Sequence, residues 1–216
     1  MPEPADLQVM LEAFVRHTRE EYRALEAPTT HPDAPQTILL PMPDGVKLRT
    51  EVLKPVGAGP FPTIIQRSCY PMMEQMLKVH ADEYARRGFA YVYQFCRGTG
   101  GSEGVWEPNV NDRVDGKATL DWLDAQPWVE SIGWLGSSYT AFTGWVLADI
   151  VPGKVKTLYL THYGTDRFAS ATAAGCSARM CSPRGRWKTR AGLSRPATKP
   201  PPRTARRSTW IPTCGT

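Results

Sequence analysis

Apolar positions recur along this chain with two different periods. Near the N-terminus Leu7, Met10, Leu11, Phe14 and Val15 fall at helical spacing with charges between them. That predicts an amphipathic helix over residues 6–26 whose apolar stripe is a packing face. Residues 37–42 and 46–53 then read as strands flanking Asp44-Gly45, a hairpin turn signal. The second of them alternates apolar and polar, as at the antiparallel edge of a sheet. Residues 62–66 and 89–95 read as buried strands, separated by a helix over 74–87 that Gly88 stops. A helix over 111–124 follows, then a strand ending near residue 137, a helix through Ile150 and a strand over 155–160. Alternation of this kind implies an α/β fold, a mostly parallel sheet with helices on both faces.

Composition separates the last 41 residues from the rest. The chain carries a formal charge of +5, yet residues 176–216 hold eight Arg and two Lys with no Asp or Glu. Residues 1–175 therefore contain 16 basic and 21 acidic residues, a charge of −5. The tail has six Pro, three of the five Cys and neither helical nor strand periodicity, so it is expected to be disordered and to bury no core. Arg outnumbers Lys four to one in it, the composition that GC-rich DNA gives when read out of frame. A frameshifted or truncated end is the reading adopted; a basic arm for nucleic acid and an ordinary disordered tail stand as alternatives. The expected organisation is an N-terminal helix over 1–30, a partial α/β domain over 31–175 and the tail over 176–216.

No apolar run reaches transmembrane length, and the acidic start is unlike a signal peptide, so a cytoplasmic protein without a membrane partner is expected. Five cysteines without a Cys-x-x-Cys pair indicate neither a zinc site nor a disulfide framework. The loop Gly98-Thr99-Gly100-Gly101-Ser102-Glu103-Gly104 has Glu103 where a dinucleotide fingerprint needs glycine, and no Walker lysine follows. It reads as a structural turn, and no cofactor or metal is expected.

Chemistry concentrates at Gly136-Ser137-Ser138-Tyr139-Thr140-Ala141, where a strand meets a helix. A sharp turn there would lift the Ser138 hydroxyl above the sheet and leave the Tyr139 N–H able to meet a developing oxyanion. The bland alternative is an ordinary strand-turn-helix whose serines cap the helix. Before it come, in order, Met42-Pro43-Asp44-Gly45-Val46, Gly59-Pro60-Phe61-Pro62-Thr63, Arg87-Gly88-Phe89-Ala90, the glycine loop with Cys96-Arg97, and Asp121-Trp122-Leu123-Asp124-Ala125-Gln126-Pro127-Trp128.

This series resembles the cocaine-esterase / X-prolyl dipeptidyl-peptidase group of α/β-hydrolases, over roughly residues 35–165. In that group the turn reads Gly-x-Ser-Tyr-x-Gly, with Ala141 here in the last place. The resemblance implies a serine acyl hydrolase acting on a small-molecule ester or amide, or on a peptide including X-Pro, through an acyl-enzyme on Ser138. It also implies Tyr70 as a hydroxyl donor to the oxyanion beside the Tyr139 N–H. It further implies a domain that continues beyond residue 160, so the sheet is expected to be incomplete at its C-terminal end.

A serine needs an imidazole base and the base an acid, in the order Ser, Asp or Glu, His. After Ser138 only Asp149, Asp166 and His162 are available. Asp149 falls well along the helix, and His162 ends the next strand and reads as a polar strand-end residue. His17, His31 and His80 fall in or before surface-looking segments. No histidine is therefore expected within reach of Ser138, the triad Asp and His are expected to be missing, and the fragment is expected to be inactive. The opposing reading is a non-enzymatic α/β domain whose basic tail holds an anionic partner.

Overall fold

A computed structural model describes residues 4–163 of the 216-residue chain. The tail reading, Asp166 and the three tail cysteines lie outside the described residues. The helix α1 (Pro4–Arg23) leads into the hairpin of β1 (Gln36–Pro41) and β2 (Lys47–Leu53). Then come β3 (Phe61–Ser68), a 3-10 turn at Pro71–Met73, α2 (Glu74–Ala85) and β4 (Ala90–Phe95). The helix α3 (Asp112–Asp124), strand β5 (Val129–Ser137), helix α4 (Tyr139–Trp145) and strand β6 (Val155–Thr161) complete the order.

The strands form one sheet in the order β1-β2-β4-β3-β5-β6. The pairs β1/β2 and β2/β4 are antiparallel, whereas β4/β3, β3/β5 and β5/β6 are parallel. A mixed, mostly parallel sheet with an antiparallel edge is thus present. The hairpin closes through Gly45 at φ 87, with the Met42 N–H donating to the Val46 carbonyl at 2.7 Å.

Strand β4 shows how both sheet faces are covered. Tyr91, Tyr93 and Phe95 pack with Leu77 and Ala81 of α2. Val92, from the intervening register, joins Ile65, Ile132 and Trp134 of the neighbouring strands and Leu120 and Leu123 of α3. Period-two alternation on a strand buried on both sides feeds two cores at once. Each fully buried side chain of this size contributes about 1.5–3 kcal/mol.

Three expectations need correction. The helix after Ser138 ends at Trp145 rather than Ile150; residues 146–149 continue as turns, and Arg113 captures the Val146 carbonyl at 2.5 Å and the Asp149 carboxylate at 2.7 and 2.9 Å. The α1 stripe only partly packs, since Met10 and Phe14 remain 58 and 50 % exposed. His80 is no surface residue: its Nδ1 lies 2.7 Å from the Tyr22 hydroxyl and its ring stacks on Tyr91. Among the described residues no helix is long and apolar enough to cross a membrane, and no cluster of three metal-ligating side chains occurs.

Candidate active site

All four parallel strands deliver their carboxyl ends to one edge of the sheet, where open α/β sheets receive ligands. Strand β3 leads into Cys69-Tyr70, β4 into Cys96-Arg97, β5 into Ser138-Tyr139 and β6 into His162. Four sequence-distant segments meet there because parallel pairing fixes their relative height.

Ser138 joins β5 to α4 with φ 56 and ψ −128, a left-handed φ that non-glycine residues rarely adopt. Its neighbours hold it there. A Cβ at Gly136 would run into the Thr140 carbonyl group and come within 2.7 Å of the Ala141 Cα, so the turn closes only over glycine. The Thr140 hydroxyl accepts the Ser137 N–H and donates to the Ser137 carbonyl, both at 2.7 Å. On the other side the Ser138 N–H donates to the Thr161 carbonyl at 3.0 Å, tying the turn to β6. Ala141 is fully buried, so its methyl group is accommodated where the resembling hydrolases carry glycine. Ser137 and Ser138 are both exposed.

Tyr139 opens α4, so its N–H belongs to a first turn that lacks intrahelical acceptors. Its side chain is buried with Cys69 and Cys96, and Tyr70, Trp106 and Phe142 pack around them. The Tyr139 hydroxyl donates to Asp112 Oδ2 at 2.6 Å and accepts the Asn109 N–H at 2.8 Å. Burial and the Asp112 carboxylate both push this phenol upward, so it stays protonated and donating. Tyr70 follows β3 half-buried, with its N–H donating to Ser68 Oγ at 3.1 Å. The structure thus brings Tyr70 and Tyr139 into one cluster. Cys96 sits in the same cluster, its thiol pushed up to about 12 by burial.

Beside the cluster lies a buried ionic network that the sequence reading missed. Arg97 reaches Asp115 at 2.6 and 2.7 Å and also clasps Asp44 of the hairpin turn. Those contacts hold the Asp44 carboxyl below its ordinary value, the hydrogen bond from Arg97 being the main cause. Arg67 is fully buried, donating to Gln94 Oε1 at 2.8 Å and to the Asp112 carbonyl at 2.9 Å, with Asp115 at 3.7 Å. The signal for it was present: Arg67 lies near the end of the buried strand β3, Gln94 interrupts the aromatic and aliphatic run of β4, and Asp112 and Asp115 share the first turn of α3. The glycine loop serves as a turn. The Glu103 N–H donates to the Lys47 carbonyl at 2.9 Å and its carboxylate accepts the Lys47 N–H at 3.0 Å, and a Cβ at Gly100 (φ 55) would overlap the Phe95 ring.

Among the described residues no imidazole hydrogen-bonds Ser138. His162, at φ 54, instead lies with Nδ1 3.2 Å from the Ser137 hydroxyl, one residue away, and 3.2 Å from the Thr161 hydroxyl. Asp149 is held by Arg113, and His80 between α1 and α2.

The family described as X-Pro dipeptidyl-peptidase (S15 family) matches residues 44–209. Cocaine esterase from Rhodococcus sp. (strain MB1 Bresler) is 32% identical over 126 residues, covering 56% of this chain and 22% of its own length. The chain therefore spans about a fifth of that relative. Among solved structures, a CocE/NonD family hydrolase from Staphylococcus aureus matches with a TM-score of 0.48 at 22% identity, over 63% of this chain and 31% of its own. An α-amino acid ester hydrolase matches with a TM-score of 0.47 at 23% identity, over 62% and 26%.

Proposed function

The chain belongs to the S15 family of X-Pro dipeptidyl-peptidases, a family of hydrolases, and on that premise we propose that it carries the nucleophile half of a serine acyl-hydrolase site. Ser138 is the nucleophile, attacking the carbonyl of an ester, an amide or an X-Pro peptide. The Tyr139 N–H and the Tyr70 hydroxyl receive the oxyanion of the tetrahedral intermediate, and the acyl group passes to Ser138 Oγ as the leaving group departs. The observation that carries this reading is the exposed Ser138 at φ 56 and ψ −128 between a parallel strand and a helix. Support for Tyr70 is its place after β3, packed into the cluster that holds Tyr139.

The reading includes slow turnover. Without an imidazole on Ser138 the hydroxyl keeps its proton, and loss of the triad base costs several orders of magnitude in rate. The test is labelling of the full chain by a fluorophosphonate probe together with hydrolysis of a p-nitrophenyl ester. Expected, on peptide mapping, are weak labelling at Ser138, loss of label at that position in Ser138→Ala, and no sustained ester turnover beyond the uncatalysed rate. Absence of probe from Ser138 in the peptide map of the unaltered chain overturns the assignment of the nucleophile.

A further inference from the structure

The elbow holds two adjacent exposed serines, and the imidazole is bonded to the one that the hydrolase reading leaves without a task. Ser137 and Thr161 are register partners in the parallel pair β5/β6. The Ser138 N–H donating to the Thr161 carbonyl pins the next step of the chain, so His162, the residue after β6, arrives beside Ser137 at the end of β5. Its backbone at φ 54 is strained for most residues, though histidine and asparagine enter this region more readily than others. Nδ1 lies 3.2 Å from the Ser137 hydroxyl and 3.2 Å from the Thr161 hydroxyl. Both neighbours are hydroxyls able to donate or accept, and the Thr161 hydroxyl also lies 3.5 Å from the Gly136 carbonyl, so Nδ1 can take the Ser137 hydrogen in the tautomer that carries its proton on Nε2. Ser137 Oγ and the ring are solvent-accessible together. A hydroxyl within hydrogen-bond reach of an accepting imidazole nitrogen is the minimal unit of nucleophilic catalysis by serine.

We propose that Ser137 and His162 form a second acyl-accepting pair on this chain, independent of Ser138, that takes an acyl group from small activated esters. In the step, Nδ1 of His162 accepts the Ser137 proton while Ser137 Oγ bonds to the ester carbonyl carbon. The bond from that carbon to the leaving oxygen then breaks, releasing an aryl oxide that is stable as an anion near neutral pH. The imidazolium returns its proton to water, leaving an ester on Ser137. The substrate class is aryl esters of short acids, because the pair has good access but no acid to help a poor leaving group.

The experiment uses the full chain, p-nitrophenyl acetate and mass-spectrometric mapping of the acetylated residue. In Ser138→Ala an acetyl group is expected on Ser137, at a rate reduced on the order of 100-fold by His162→Asn, the size of a general-base contribution. Asparagine tolerates the left-handed backbone at this exposed position, so the second change leaves the fold intact, checked by an unaltered urea midpoint. Absence of acetyl on Ser137 in Ser138→Ala, or equal acetylation of Ser137 with and without His162, overturns the proposal. Acetyl found on Ser138 in the unaltered chain speaks to the nucleophile reading alone, so the two can fail separately.

Discussion

The Tyr139 hydroxyl donates to the Asp112 carboxylate at 2.6 Å, so the residue after Ser138 is fastened to the first turn of α3. The same hydroxyl accepts the Asn109 N–H, and the Trp106 ring meets Tyr139 edge-on at 5.9 Å. The helix that follows the serine is therefore anchored through a side chain as well as through the backbone turn. Asp112→Ala removes a charged acceptor from a buried donor, a loss of about 1.5–3 kcal/mol. Asp112→Asn, which keeps an acceptor oxygen, is expected to lose less. Urea unfolding of both variants, compared at equal m-value, checks the order.

Gly136→Ala is expected to be far worse than a surface substitution. The added methyl has only backbone to displace, at Thr140 and Ala141, and overpacking of this kind costs about 3 kcal/mol. The thermal midpoint and soluble yield of the variant report it. The same change at Gly45, where nothing lies within 4 Å of a Cβ, meets only the cost of its φ of 87.

His80 makes stability depend on pH in a defined direction. Burial holds its pKa below the ordinary value, and Glu21 offsets part of that shift. The unfolded chain therefore binds a proton first as pH falls through about 6.5, the ordinary histidine value. The stabilising contribution of the neutral ring is full above that pH and declines below it, until the folded form also protonates. His80→Asn keeps an acceptor for the Tyr22 hydroxyl but does not titrate, so its urea midpoint should vary less between pH 7 and the acid side.

Cys96 should be inert in the folded chain. Its thiol is 2 % exposed and pushed up to about 12, so almost no thiolate is present at neutral pH. Alkylation followed by peptide mapping is expected to leave Cys96 unmodified in buffer and to modify it in concentrated urea. Rapid native alkylation would show that the cluster around Tyr139 opens readily.

The element order was legible because each strand and helix carries its own period. The hairpin at Asp44-Gly45 and the turn at Gly136 were legible because each needs one residue type at one place. What escaped was pairing across the sheet. Asp44 reads as a turn residue, and only the fold brings it to Arg97, 53 positions later. His80 looked superficial because its partner Tyr22 belongs to α1, whose docking on α2 leaves no local trace. The end of α4 was misplaced because Arg113 of another helix captures the Val146 carbonyl just past its end, information that no window of neighbouring residues contains.

Strand β3 lies between β4 and β5, so the centre of the sheet is completed by a partner that begins about 60 residues after β3 ends. Every contact that shapes the serine turn from below depends on that late arrival, and the loop entropy of the whole intervening stretch must be lost before it forms. On the ribosome β1 to β4 can pair first as a half-sheet whose inner edge is open. The elbow then becomes a report on completed folding: its strained backbone exists only once the long-range parallel pairing is in place. A nascent chain halted before β5 emerges would carry β3 as a bare edge, a row of unpaired N–H and C=O groups.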